Sequence, residues 1–150
     1  MANSDFLKIG LAQMTPVWLN REKTILKMEQ WAKDAGEQAC KLLVFPEAFV
    51  PGYPFWLELT DGARFNNKRQ KELHAHYLDQ AIQIEKGHLE ELCRIAAAFQ
   101  MMIVLGSIER PSDRGGHSVY CSMINIGTDG QIQNIHRKLM PTYEERLCWS

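Results

Sequence analysis

An α/β fold, with helices layered on a sheet (an α+β layered arrangement), is predicted by three features of this sequence. Short apolar runs stop at prolines or tight-turn signals; longer stretches carry apolar residues three or four apart; and the two kinds alternate along the chain. The first strand is residues 7–13, where Leu7, Ile9 and Leu11 form a short apolar run that ends before the breaker Pro16. From Asn20 the period changes: Ile25, Met28, Ala32, Ala35 and Ala39 recur at helical spacing, with Lys23, Lys27, Glu29, Lys33 and Asp34 largely on the other side. Asn20 is placed to cap that helix.

Residues 41–45 read as a second strand, and the unbroken run Leu42, Leu43, Val44, Phe45 suits one covered on both faces. Pro46 ends it. The following stretch, residues 47–61, holds Pro51, Gly52 and Pro54 among Phe49, Tyr53, Phe55 and Trp56, and is an irregular loop rich in aromatic surface. A polar helix is predicted over about residues 64–84. A clearer one follows over 88–100, with Leu89, Leu92, Cys93, Ala96 and Phe99 at helical spacing. Strands then follow at 101–108, 117–126 and 131–137, separated by the turn-rich segment 111–116 and by Asp129-Gly130. Residues 138–150 read as loop with no strand behind them.

The 150 residues are 45% hydrophobic and 23% charged, enough apolar mass to bury a core, and no repeat, low-complexity tract or linker divides them. Seventeen basic against eighteen acidic side chains leave a formal charge of −1, which gives no long-range pull toward nucleic acid or an anionic membrane. The expected partner is a small molecule or another protein. No apolar run approaches the roughly 20 residues that span a bilayer, and MANSDFLKIG lacks a basic segment followed by a long apolar stretch, so a cytoplasmic location is the expectation. The four cysteines are scattered without a CxxC pair, and His74 and His76 point different ways on a helix. Neither a metal site nor a cofactor is expected.

Two segments carry chemistry. Glu47 follows Pro46 at the carboxyl end of a buried strand, where α/β proteins commonly place reactive groups, and partial desolvation there makes a carboxylate a better base. Taken alone it reads more simply as a solvated loop carboxylate. In HRKLMPTYEER, residues 136–146, Lys138 stands at a strand end with Glu144 and Glu145 a loop's length later. A lysine among carboxylates stays protonated and can stabilise developing negative charge, although charge runs are usually surface ion pairs.

The two segments occur together, and together they resemble a known family. FPEAFVPGYP (residues 45–54) and HRKLMPTYEERL (136–147) are similar to signature segments of the nitrilase branch of the carbon–nitrogen hydrolase superfamily. KIGLAQMTPVW near the start and LGSIER at 105–110 resemble it at the corresponding places. The resemblance covers nearly the whole chain, so residues 1–150 are expected to be the N-terminal part of one such domain. It implies the nitrilase-type α-β-β-α sandwich, incomplete at the C-terminus.

It also implies an activity: conversion of a nitrile to a carboxylic acid and ammonia through a cysteine thioimidate and thioester. By motif position Glu47 matches the general base, Lys138 the cation that stabilises the tetrahedral intermediate, and Glu145 the second glutamate, with Glu144 the runner-up. The family's nucleophile lies in a CWEN-like segment well past the lysine, and these residues contain no such segment. Cys148-Trp149 imitates its start but follows Glu145 too closely, so the 150-residue chain alone is expected to be inactive. Cys40, Cys93 and Cys121 read as core packing. Tyr53 and Trp56, with Phe55, either line the substrate pocket or bury against a neighbouring subunit, since family members assemble through dimers into homo-oligomeric spirals. The alternatives are an amidase, carbamoylase or ureido hydrolase of the same superfamily, and a noncatalytic truncated subunit.

Overall fold

A computed structural model describes residues 6–62 and 64–150, so the first half of the MANSDFLKIG segment, residues 1–5, lies outside the described residues. Five strands form one mixed sheet in sequence order: β1 (Ile9–Leu11), β2 (Leu42–Val44), β3 (Met102–Glu109), β4 (Tyr120–Ile126) and β5 (Ile132–Arg137). β1, β2 and β3 run parallel, because each connection between them carries at least one helix, and β3–β4–β5 is an antiparallel meander closed by tight turns. The helices are α1 (Arg21–Glu37), α2 (Lys68–Gln80) and α3 (Glu90–Phe99).

α1 begins as its sequence predicts: Asn20 Oδ1 accepts from the Lys23 amide at 2.9 Å. α2 is shorter than its periodicity suggested. Asn67 caps it by accepting from the Gln70 amide at 3.1 Å, and residues 64–66 stay in the loop. The first strand also shrinks, to Ile9–Leu11.

α1 and α3 pack on one face of the sheet. Met28, Ala32 and Ala35 from α1 and Leu92, Ile95 and Ala96 from α3 are buried with Leu43, Ile103, Leu105, Ile124 and Ile126. Side-chain alternation turns the other set of strand residues away from these helices. There Ile9 and Leu11 are exposed and Leu42, Val44 and Val104 half-buried, so the described residues cover this face of β2 only in part. A second core gathers at one end, where Trp56, Leu57, Tyr77, Leu78, Ile108, Val119, Cys121, Cys148 and Trp149 join the loop after β2, α2 and the chain's last turn.

That second core fixes the loop carrying Glu47. Instead of leaving the sheet at Pro46, the chain continues alongside β3: the Phe45 amide donates to the Val104 carbonyl (2.8 Å), Phe49 to Gly106 (3.0 Å), and Ile108 to Val50 (2.7 Å). The Tyr77 hydroxyl donates to the Gly52 carbonyl at 2.9 Å and pins the loop from the α2 side. Gly106 permits this path, since a Cβ there would overlap the Pro46 carbonyl and the Glu47 Cα.

Candidate active site

Lys138 follows β5, and its amide still donates to the Cys121 carbonyl of β4 at 2.8 Å, which directs the side chain back over the sheet end. Its Nζ donates to Glu47 Oε1 at 2.7 Å and lies 3.1 and 3.0 Å from Glu145 Oε1 and Oε2. The ammonium thus bridges two carboxylates that are distant from each other in sequence. Their exposures differ: the Glu47 side chain is 58% exposed, Lys138 29% and Glu145 only 4%. Glu47 can therefore meet a small molecule, whereas Glu145 is a buried counter-charge.

Residues 138–150 are not plain loop. Tyr143–Leu147 forms a short 3-10 turn closed by a capping box between Thr142 and Glu145, and the Thr142 amide donates to Glu145 Oε2 at 2.7 Å. Burial pushes the Glu145 carboxyl up, but the Thr142 amide and the Lys138 ammonium together outweigh it and hold the group below its ordinary value. The hydrogen bond to Glu47 comes first in holding Lys138 above its ordinary value; burial opposes it, and Glu145 adds to it. Lys138 therefore carries a full positive charge at neutral pH.

These groups stand at a cavity of about 360 Å³. Val44, Phe45, Val104, Gly106 and Met123 supply apolar wall, and Glu47, Cys121 and Lys138 bring reactive atoms to it. An apolar cleft with a few convergent polar groups suits a small, largely uncharged ligand.

Tyr53 and Trp56 do not line this cavity. The Tyr53 hydroxyl donates to Glu144 Oε1 at 3.1 Å and its ring meets the edge of Trp149, while Trp56 is buried in the second core beside Tyr77. Tyr53 thereby ties the Glu47 loop to the Glu145 turn. Cys40 lies in the main core, Cys93 is half-buried on α3, and Cys148 sits in the second core, where burial pushes its thiol up to about 12. His74 stacks edge-on against Trp56 and His76 Nε2 contacts the Leu19 carbonyl at 2.9 Å, so the pair does not converge. Among the described residues no group of three or more His, Cys, Asp or Glu is arranged to hold a metal ion, and no helix is long and apolar enough to cross a membrane.

Two features escaped the sequence reading. Cys121 is buried, but its Sγ faces the cavity and contacts Glu47 Oε1 at 3.5 Å. The only signal was alternation along β4, legible once the register pairing Cys121 with Ile108 is known. Next to Lys138, Arg137 clasps the buried Glu109 with two hydrogen bonds of 2.9 and 2.8 Å, and the Ser122 hydroxyl donates to the same carboxylate at 2.7 Å. That pair anchors the end of β5 from which Lys138 projects.

Comparison with known proteins gives the class of protein to which this fold and its bridging lysine belong. The sequence profile described as Carbon-nitrogen hydrolase matches residues 8–150, and the chain belongs to that family. It is 34% identical over 143 residues to a protein named Nitrilase 2 from an unknown prokaryotic organism, covering 95% of this chain and 43% of the relative. It is 32% identical to an aliphatic nitrilase of Rhodococcus rhodochrous (95% of this chain, 37% of that protein). With an arylacetonitrilase of Aspergillus niger the identity is 30% (99% and 41%). The chain spans less than half the length of these curated relatives. Among solved structures, an amidase from Nesterenkonia sp. shares the fold with a TM-score of 0.66 at 18% identity, over 96% of this chain and 47% of the amidase.

Proposed function

We propose that these residues are the N-terminal part of a cytoplasmic nitrilase that hydrolyses a small nitrile to a carboxylic acid and ammonia, with the attacking thiol supplied by sequence outside these 150 residues. The observation that carries this reading is the Lys138 ammonium held between Glu47 and Glu145 at the mouth of an apolar cavity. Glu47, the exposed carboxylate, takes the thiol's proton as sulfur attacks the nitrile carbon. Negative charge then develops on the nitrile nitrogen and, after water adds to the thioimidate, at the tetrahedral carbon's substituents. Lys138 is the preorganised cation that stabilises it. Glu145 adds to the Glu47 hydrogen bond in keeping that cation charged, and aims it from the buried side. Loss of ammonia leaves a thioester, and a second water releases the acid. The homo-oligomer expected of the complete protein belongs to the same proposal.

Amide hydrolysis by the same groups is the second reading, since the amidase of Nesterenkonia sp. shares this fold. Ammonia release from a nitrile and from its matching amide, measured with the protein that carries these residues, separates the two. Glu47→Gln and Lys138→Met should each lower turnover by a factor on the order of 100 or more. Full turnover in either variant would remove that residue from the mechanism.

A further inference from the structure

We propose that Glu109 and Arg137 are positioning residues that fix the separation of Glu47 from Lys138, through a clasp spanning three strands. This rests on the reading of Glu47 and Lys138 as base and cation, and gives a role to two residues that the hydrolytic scheme leaves idle. Both belong to runs singled out in the sequence, LGSIER and HRKL, and neither lines the cavity. Glu109 ends β3, Ser122 lies in β4 and Arg137 ends β5. Strands β3 and β5 are not neighbours, so only side chains can join them across β4. Arg137 does so: its Nε and Nη2 donate to Glu109 Oε2 and Oε1 at 2.9 and 2.8 Å. The Ser122 hydroxyl, opposite Arg137 in the ladder, donates to Oε2 at 2.7 Å, and the Tyr120 ring centre lies 4.5 Å from the guanidinium carbon. The Glu109 side chain is 4% exposed, so the two-pronged pair is made away from water and its geometry is fixed.

Ser122 shares its face of β4 with Ile124, which packs under the helices, so the clasp lies on the helix side of the sheet. Lys138, the next residue after Arg137, turns to the cavity on the opposite side. Each end of the clasp stands one residue from an element of the site. Beside Glu109, the Ile108 amide donates at 2.7 Å to the Val50 carbonyl of the loop that carries Glu47. Beside Arg137, the Lys138 amide donates at 2.8 Å to the Cys121 carbonyl. Ser122 and Arg137 also form the end pair of the β4–β5 ladder, where a strand would otherwise fray. The direct bond from Lys138 to Glu47 cannot do this work alone. In the hydrolytic scheme Glu47 loses its charge on taking the thiol's proton, so that bond weakens just as the cation is needed. Glu145 holds the tip of the lysine, and the clasp holds the strand end beneath it.

The test uses the protein that carries these residues, with Arg137→Lys and the double variant Glu109→Gln with Arg137→Met. The double variant removes both charges together, so no buried carboxylate is stranded and the fold is kept; its Tm verifies that. In both, kcat for ammonia release should fall about tenfold or more with KM changed by less than about threefold, because misplaced groups act on the transition state rather than on substrate binding. A second readout needs no turnover: brief acetylation with acetic anhydride, each lysine's occupancy read by peptide mass spectrometry. Lys138 should acetylate about threefold or more faster in the double variant than in the wild type, with the exposed Lys23 and Lys41 unchanged as references. The proposal is overturned if turnover in the double variant returns with its stability, as a merely structural clasp requires. It is equally overturned if Lys138 acetylates there at the wild-type rate. A double variant that does not fold leaves the same two readouts to Arg137→Lys, which keeps the charge. A wild type that releases ammonia from neither nitrile nor amide sinks the hydrolytic reading, while the acetylation rates still decide the clasp.

Discussion

Lys138 Nζ lies 2.7 Å from Glu47 Oε1 across 91 residues of sequence, and the same ammonium is held from behind by the buried Glu145. The pair is a joint between two halves of the structure, the loop after β2 and the turn after β5.

Removing the cation therefore tests stability as well as chemistry. In Lys138→Met the exposed Glu47 rehydrates, but Glu145, 4% exposed, keeps its charge with only the Thr142 amide as a strong partner. The expected loss is about 2–3 kcal/mol, measured by urea unfolding. Lys138→Met combined with Glu145→Gln should recover much of it; a double variant as unstable as the single one would mean that the buried charge is not the cause.

Acid should weaken the same joint. The folded-state value of Glu145 is depressed, so its contribution is fully present above the unfolded value of about 4.3 and is lost as pH falls through the folded value. Urea midpoints taken from pH 7 down to about pH 3 should fall more steeply for the wild type than for Glu145→Gln. Parallel curves would show that Glu145 is not a stabilising carboxylate.

Gly106→Ala tests how the sheet carries Glu47. The new methyl would meet backbone, the Pro46 carbonyl and the Glu47 Cα, which cannot swing away as a side chain would. A loss of about 1–3 kcal/mol is expected by denaturant unfolding. Gly115→Ala, with nothing near its Cβ, should change little. Equal stability of the two variants would contradict the close approach.

The Arg137–Glu109 clasp predicts a graded series. Arg137→Met leaves a buried carboxylate with only the Ser122 hydroxyl and should cost about 3 kcal/mol. Arg137→Lys keeps the charge but loses the two-pronged geometry and should fall between. Thermal unfolding of the two variants gives the order, and Lys as damaging as Met would assign the effect to shape alone.

Much of this architecture was legible in the sequence because its signals are local. Periodicity marked α1 and α3, Asn20 marked a cap, and Pro46 placed Glu47 at a strand end. What local signals do not carry is which strands meet and what crosses them. Which layer lies on each face of β2 could not be read from Leu42 to Val44, since an apolar run looks alike whichever layer covers it. Cys121 looked like any strand cysteine until the register set it opposite Ile108 and under Glu47. Tyr53 was expected at the pocket or an interface; its hydroxyl bond to Glu144 was not legible, because it depends on the aromatic loop folding back on the last turn.

Glu145 has two tasks on one side chain: it closes the capping box with Thr142 and it holds Lys138. Whatever frays the 3-10 turn must also loosen one of the ammonium's two carboxylate supports and leave it to Glu47. The placement of the charge presented to a bound molecule is thus tied in part to the order of a five-residue turn, Tyr143–Leu147. Hydrogen exchange at the Glu145 and Cys148 amides would report the readiness of the cation from outside the cavity.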